Sequence, residues 1–205
     1  MQMWEHSPSP VRVWLEVRLY SRRGKLIFEH RQPVRSFLAN WTKAIYGLAL
    51  KYANTDAIML TARDGTDHWF PDLYSEGSPI FRMTAPEGNT ERGILFGSGT
   101  TSPSINDYEL ESLISHGTGS GQLYYNASDI AYEIESDRGR FIAYRTATNK
   151  SGGDVTVSEI GLAFIYRNSS GNWYKVLVLR DVLDTAVVVA PTQSIEGRYV
   201  MEFLL

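Results

Sequence analysis

Any chemistry this chain performs has to come from a few scattered groups. The loop Phe96-Gly97-Ser98-Gly99-Thr100-Thr101 offers successive backbone N–H groups of the kind that cradle a phosphate. It lacks the Gly-Lys-Ser/Thr ending and the strand-loop-helix context of such a site, and Ser102-Pro103-Ser104 breaks a helix rather than starting one. A structural turn is the better expectation. Glu133, Glu135 and Asp137 alternate along one strand face, a spacing that would suit the carboxylates of a glycosidase groove and equally a solvated outer face. Asp64 and Asp67 could hold calcium, but the EF-hand pattern is missing and Asp64-Gly65 marks a tight turn. His6, His30, His68 and His116 stand far apart, none paired with another His or an acid at ligand spacing. No serine sits in a Gly-x-Ser-x-Gly elbow. With no Cys there is no thiolate zinc site, disulfide or cysteine nucleophile. The expectation is a protein that is not an enzyme, with no catalytic, cofactor-binding or metal-binding residues. Sugar binding is a different chemistry and would use Trp14, Tyr20, Trp173 and Tyr174, provided two or more form a coplanar exposed platform beside polar groups.

Strands must position these residues. From Val11 to Leu19 the alternation is strict, with Val11, Val13, Leu15, Val17 and Leu19 on one face and Arg12, Trp14, Glu16, Arg18 and Tyr20 on the other. The turn Ser21 to Lys25 leads into Leu26-Ile27-Phe28 as a hairpin, with Arg22 and Arg23 guarding its edge. Short strands are expected at Ala57 to Thr61, His68 to Phe70 and Ile94 to Phe96. Asp107, Tyr108 and Leu110 are expected to pin the crossover between the glycine-rich loops, with a helical turn near Ile105. Ile130, Tyr132 and Ile134 alternate, and turns at Ser136 to Gly139 and Asn149 to Asp154 flank a strand at Arg140 to Thr148. Val155 and Val157 are one residue out of phase with Ile160, Leu162, Phe164 and Tyr166, which predicts a β-bulge near Ser158 to Gly161 that carries Glu159. Trp173 to Leu179, Val187 to Val189 and Tyr199 to Leu205 complete the strands.

One amphipathic helix is predicted over 36–52, starting at Ser36, with Phe37, Leu38, Trp41, Ile45, Leu48, Ala49 and Tyr52 on its apolar stripe and Asn40 and Lys43 off it. The fold class that follows is mainly β: an antiparallel β-sandwich, jelly-roll-like, with this helix packed on it. One domain spans 11–205. It includes a long loop at 71–89 with an edge strand near Ile80 to Met83, and an extended arm at 1–10 precedes it. Trp4 in that arm is expected to dock on this subunit or a neighbour.

Composition sets further bounds. The 205 residues suffice for one large core. A formal net charge of −3 and a pI near 5.8 give no electrostatic reason to bind nucleic acid or an anionic membrane. No run approaches the ~20 apolar residues of a membrane helix, and the first residues lack the layout of a secretory signal. The sequons at Asn40, Asn126, Asn149 and Asn168 therefore carry little weight.

The series SFLANWTKAIYGLAL (36–50), GILFGSGTTSPSINDYELESLISHGTGSGQLYY (93–125), TVSEIGL (156–162), LVLRDVL (177–183) and APTQSIEGRYVMEF (190–203) resembles a layout found among virion proteins of tailed bacteriophages. The shared features are a Ser-Phe and Asn-containing helix, a Gly-Thr loop with a following Asp-Tyr-x-Leu segment, a Ser-Glu-x-Gly-Leu strand and a final strand entered through Pro191-Thr192-Gln193-Ser194. One departure is Thr192, where that layout commonly has glycine. The resemblance implies no catalytic residues. It implies a structural component of the tail, neck or capsid surface, made in the host cytoplasm and residing in the virion. Such a component self-associates as a homo-oligomer and docks on other virion proteins through residues 1–10, 71–89 and the glycine-rich loops. The alternative is a carbohydrate-binding host-attachment module with a surface glycan as partner.

Overall fold

The computed structural model describes residues 11–50, 58–69, 82–167 and 171–204. They form strands β1 (Val11–Tyr20), β2 (Leu26–Pro33), β3 (Met59–Thr61), β4 (Asp67–Trp69), β5 (Gly93–Gly97), β6 (Tyr124–Ile134), β7 (Arg138–Thr148), β8 (Val155–Arg167), β9 (Trp173–Val189) and β10 (Ser194–Leu204), with one helix, α1 (Ala39–Leu50). The molecule is mainly β, and the strands pair antiparallel throughout. One sheet has the order β2-β1-β10-β7-β6, a second β5-β8-β9, and β3-β4 is a separate hairpin.

The alternation in β1 explains its place. Leu15, Val17 and Leu19 are buried, and they pair with Tyr199, Gly197 and Ile195 of β10, so one register puts both strands' core residues on one face. That face packs on Ile94 and Phe96 of β5 and on Val157, Ile160, Leu162 and Phe164 of β8 in one continuous core, a sandwich-like stacking of the two sheets. Each such side chain contributes about 1.5–3 kcal/mol on burial. The predicted bulge is present: the β8–β9 register shifts between Val157 and Glu159, and again between Leu162 and Ala163.

Several boundaries differ from expectation. The helix starts at Ala39 rather than Ser36, because the preceding backbone is taken up by pairing: Phe37 bridges Leu179, and the Leu38 N–H donates to the Val178 carbonyl at 3.0 Å. Its buried face is also rotated. Asn40 and Ala44 are buried while Ile45 and Tyr46 are exposed. The Asn40 amide acts as a strand partner, accepting from the Thr61 N–H at 3.0 Å and donating to the carbonyls of Thr61 at 2.9 Å and Leu177 at 3.2 Å. The stretches at 173–179 and 187–189 are the two ends of one strand, β9, which stays paired to β8 across the bulges. Near Ile105 there is a turn, closed by Asp107 N–H to the Ser104 carbonyl, and no helix. Arg82 makes one isolated bridge to Ile165 of β8, whereas Ile80 and Phe81 of the expected edge strand, Trp4 and the arm 1–10, and Tyr52 lie outside the described residues.

Thr192 occupies the turn between β9 and β10 with φ of 72°, the left-handed conformation that favours glycine. The turn is held from the neighbouring β7–β8 connection: Thr192 N–H donates to the Asn149 carbonyl and Asn149 N–H to the Gln193 carbonyl.

Candidate functional site

The bulge in β8 places Glu159 wholly inside the protein, beneath the connection from β5 to β6. Its Oε1 accepts from the backbone N–H of Gly99 at 3.1 Å and Ser112 at 2.7 Å. Oε2 accepts from the Glu111 N–H at 3.2 Å and from Arg180 Nε at 2.9 Å. Arg180, on β9, spends its remaining donors on the same connection: Nη1 on Asp107 at 2.6 Å, and Nη2 on the Thr101 carbonyl at 3.1 Å and Glu111 Oε2 at 3.3 Å. Glu111 in turn accepts from the N–H groups of Thr100 and Thr101 at 2.8 and 2.7 Å and from the Thr101 hydroxyl. Asp107 accepts from Ser104 N–H at 2.9 Å.

Three carboxylates and one guanidinium thus tie down an otherwise irregular stretch from Gly97 to Ser112. Such charge-assisted bonds are needed, because an unpaired buried charge is very costly. The glycines in FGSGTT serve this approach. A Cβ on Gly97 would lie 2.5 Å from Glu159 Oε1, and one on Gly99 would lie 2.5 Å from the Glu111 Cβ. Hydrogen bonds from the Thr101 N–H and hydroxyl hold the Glu111 carboxyl below its ordinary range against an opposing effect of burial, with further help from the Thr100 N–H and the Arg180 charge. Burial lowers the Arg180 pKa, but hydrogen bonds to Asp107 and Glu159 outweigh it, and the group is held above its usual value.

Asp107 and Leu110 pin the crossover as expected: Asp107 through Arg180, and Leu110 by burial against Leu38, Leu95, Ala163 and Leu177. Tyr108 is exposed and instead covers Gly65 in the β3–β4 turn. A cleft of about 300 Å³ beside this connection is lined by Thr101, Asn106, Asp107, Tyr108, Glu109 and Glu111 among others. Two of its carboxylates, Asp107 and Glu111, are ones that hold the loop.

A second buried cation escaped the sequence. Arg145 faces the core between Ala143 and Ala147, whose small side chains flank it on the same strand face. It donates to the carbonyls of Asn126 at 2.7 Å, Ile94 at 3.2 Å and Pro86 at 3.3 Å and lies 4.7 Å from the Tyr125 ring centroid. Burial without a carboxylate pushes its pKa down to about 10. Arg145 and the Glu159–Arg180 pair together fasten the two sheets to the loops between them. For Arg145, the signal that could have found it is a charge on the buried phase of a strand, between Ala143 and Ala147.

The larger groove, about 490 Å³, is lined by Arg63, Asp64, Glu91, Glu109, Trp173 and Lys175, with Tyr174 also on its wall. Lys175 pairs with Glu91 at 2.5 Å, and this hydrogen bond lowers the Glu91 pKa. Arg63 Nη1 donates to the Thr90 carbonyl, while its Nε is buried without a partner and burial lowers its pKa. Trp173 is 45% exposed, and Tyr174 stacks on His68 with centroids 3.8 Å apart.

The aromatics proposed for sugar binding do not form one platform. Trp14 is buried, with Arg31 lying 3.7 Å from its ring centroid, and it shares β1 with Tyr20 in the five-stranded sheet, whereas Trp173 and Tyr174 are on β9 in the other sheet. Glu133, Glu135 and Asp137 are exposed and paired with arginines: Glu133 to Arg140 at 3.2 Å, Glu135 to Arg138 at 3.1 Å and Asp137 to Arg138 at 3.0 Å. Asp64 caps the β3–β4 turn through Thr66, and Asp67 accepts from the Thr61 hydroxyl. His30 contacts Gln32, and His116 Nδ1 accepts from the Tyr125 N–H at 3.1 Å, each in a different part of the fold from His68. Among the described residues no three His, Asp or Glu groups cluster as a metal site, and no helix is long and apolar enough to cross a membrane. Compared with family models, with curated proteins and with solved structures, the chain matches none.

Proposed function

We propose that the protein is a structural component of a tailed-bacteriophage virion, acting by self-association and by docking on other virion proteins, with no reaction of its own. The observation that carries this is the use to which the motif residues are put. Gly97, Gly99, Asp107, Glu111, Glu159 and Arg180, from the segments that resemble virion proteins, converge on one network whose bonds fix the backbone of a surface connection. A fixed loop on a rigid sandwich suits repetitive docking, where symmetry multiplies weak contacts. Location is the test: mass spectrometry and antibody labelling of purified particles should find the chain in many copies, and its absence would sink the proposal.

One observation favours a second reading, a glycan-binding attachment module. The groove at Trp173 sets an exposed indole beside Asp64, Glu91, Glu109, Arg63 and Lys175, donors and acceptors suited to sugar hydroxyls. A glycan array whose hits disappear with Trp173→Ala would support it. An array without hits would remove it.

A further inference from the structure

Toward one end of the five-stranded sheet the core face becomes progressively more exposed: Met201 is still buried and Val13 and Phe141 half-buried, while the outermost apolar side chains are exposed. The last fully covered row across the strands contains Leu15, Tyr199 and Ala143, all buried. Two further rows on the same face follow toward the sheet end: Val13, Met201, Phe141 and Tyr132, then Val11, Phe203, Gly139 and Ile134. Tyr132 is 79% exposed, Ile134 80%, Phe203 47% and Val11 44%.

The opposite face of the same rows is polar and internally neutralised. Arg12, Glu202, Arg140 and Glu133 stand in one cross-strand row, with Arg140 Nε 2.8 Å from Glu202 and Arg140 Nη1 3.2 Å from Glu133. This end of the sheet is therefore amphipathic, with water suited to one side only.

We infer that a second copy of this chain covers the apolar side, face to face through Tyr132, Ile134, Phe203 and Val11. The inference rests on the reading of the protein as a self-associating component. The four side chains expose together on the order of 500 Å², at the upper end of the largest patch on a typical monomer. Two such faces joined bury about 1,000 Å², the lower bound of a specific interface, which predicts weak dimers that a particle's symmetry would reinforce. Charge complementarity favours like meeting like: the face carries no ionisable group except the phenol of Tyr132, so an isologous contact brings no charges together. A differently charged partner would find no counter-charge here.

The test is sedimentation velocity of the full chain over a concentration series, with a Tyr132→Ser/Ile134→Ser double variant and a variant lacking residues 1–10. The double variant changes only exposed side chains, and an unchanged circular dichroism spectrum and melting temperature would show that it folds. Expected is a concentration-dependent dimer in the native chain and in the variant lacking 1–10, with at least tenfold weaker association in the double variant. A native chain that stays monomeric, a double variant that dimerises equally, or loss of the dimer only when 1–10 is removed would each overturn the inference. Failure here stays distinct from failure of the functional proposal. A chain found in particles but monomeric in solution refutes the face-to-face contact alone, and a dimer through these residues in a chain absent from particles refutes only the virion role.

Discussion

Removing the Arg180 guanidinium strands a carboxylate, Glu159, in the protein interior and frees the Thr101 carbonyl and Asp107 at once. Arg180→Met keeps most of the side chain's volume and should destabilise the protein by about 3–5 kcal/mol, the cost of breaking a buried ion pair by deleting one partner. Equilibrium urea unfolding measures it, and a loss below about 1 kcal/mol would contradict the clamp. Thr192 gives the opposite sign. Its left-handed φ is costly for a β-branched residue, so Thr192→Gly should gain about 1 kcal/mol and raise Tm by about 2–4 °C, while Thr192→Ala should not. The resemblance singled out Thr192, and the slip in β8 periodicity singled out Glu159. Arg180 was not legible, because nothing in the run Leu177 to Leu183 says that its bulk points at carboxylates more than sixty residues earlier in the chain.

At the scale of elements, strand alternation was informative wherever two faces differ in solvent exposure, as in β1 and β10, and it located the bulge. It failed for α1. There the register is set by the Asn40 amide standing in for a β-strand, a polar contact that an apolar stripe cannot reveal. The connection between β5 and β6 has a pH signature. The Glu111 carboxyl has a folded pKa below its unfolded value of about 4.3, so its stabilisation is fully present above that pH and is lost as pH falls through the folded value. Buried Asp181 has the opposite sign. Burial raises its pKa, so its ionisation burdens the fold at neutral pH and that burden lifts on acidification. Urea midpoints measured between pH 5 and pH 3 should therefore fall less steeply in Glu111→Gln than in the native chain; equal slopes would show that the Glu111 bonds to Thr100 and Thr101 contribute nothing.

For the whole molecule, the sheet order brings residues far apart in sequence into two structural networks and leaves one end of the larger sheet apolar on its core side. Strand alternation and turn spacing give the fold class but not this exposure, because Tyr132 and Ile134 follow the same alternation as buried core residues and differ in being exposed at the end of the sheet. The exposed apolar side chains at this end of the sheet form a patch of the kind that marks contact surfaces. The most direct measurement is cryo-electron microscopy of the purified particle. The account predicts symmetric density in the tail, neck or capsid surface that fits this sandwich, with copies meeting at the end of the sheet that carries Tyr132 and Ile134. Particles with no such density and no trace of the chain would contradict it.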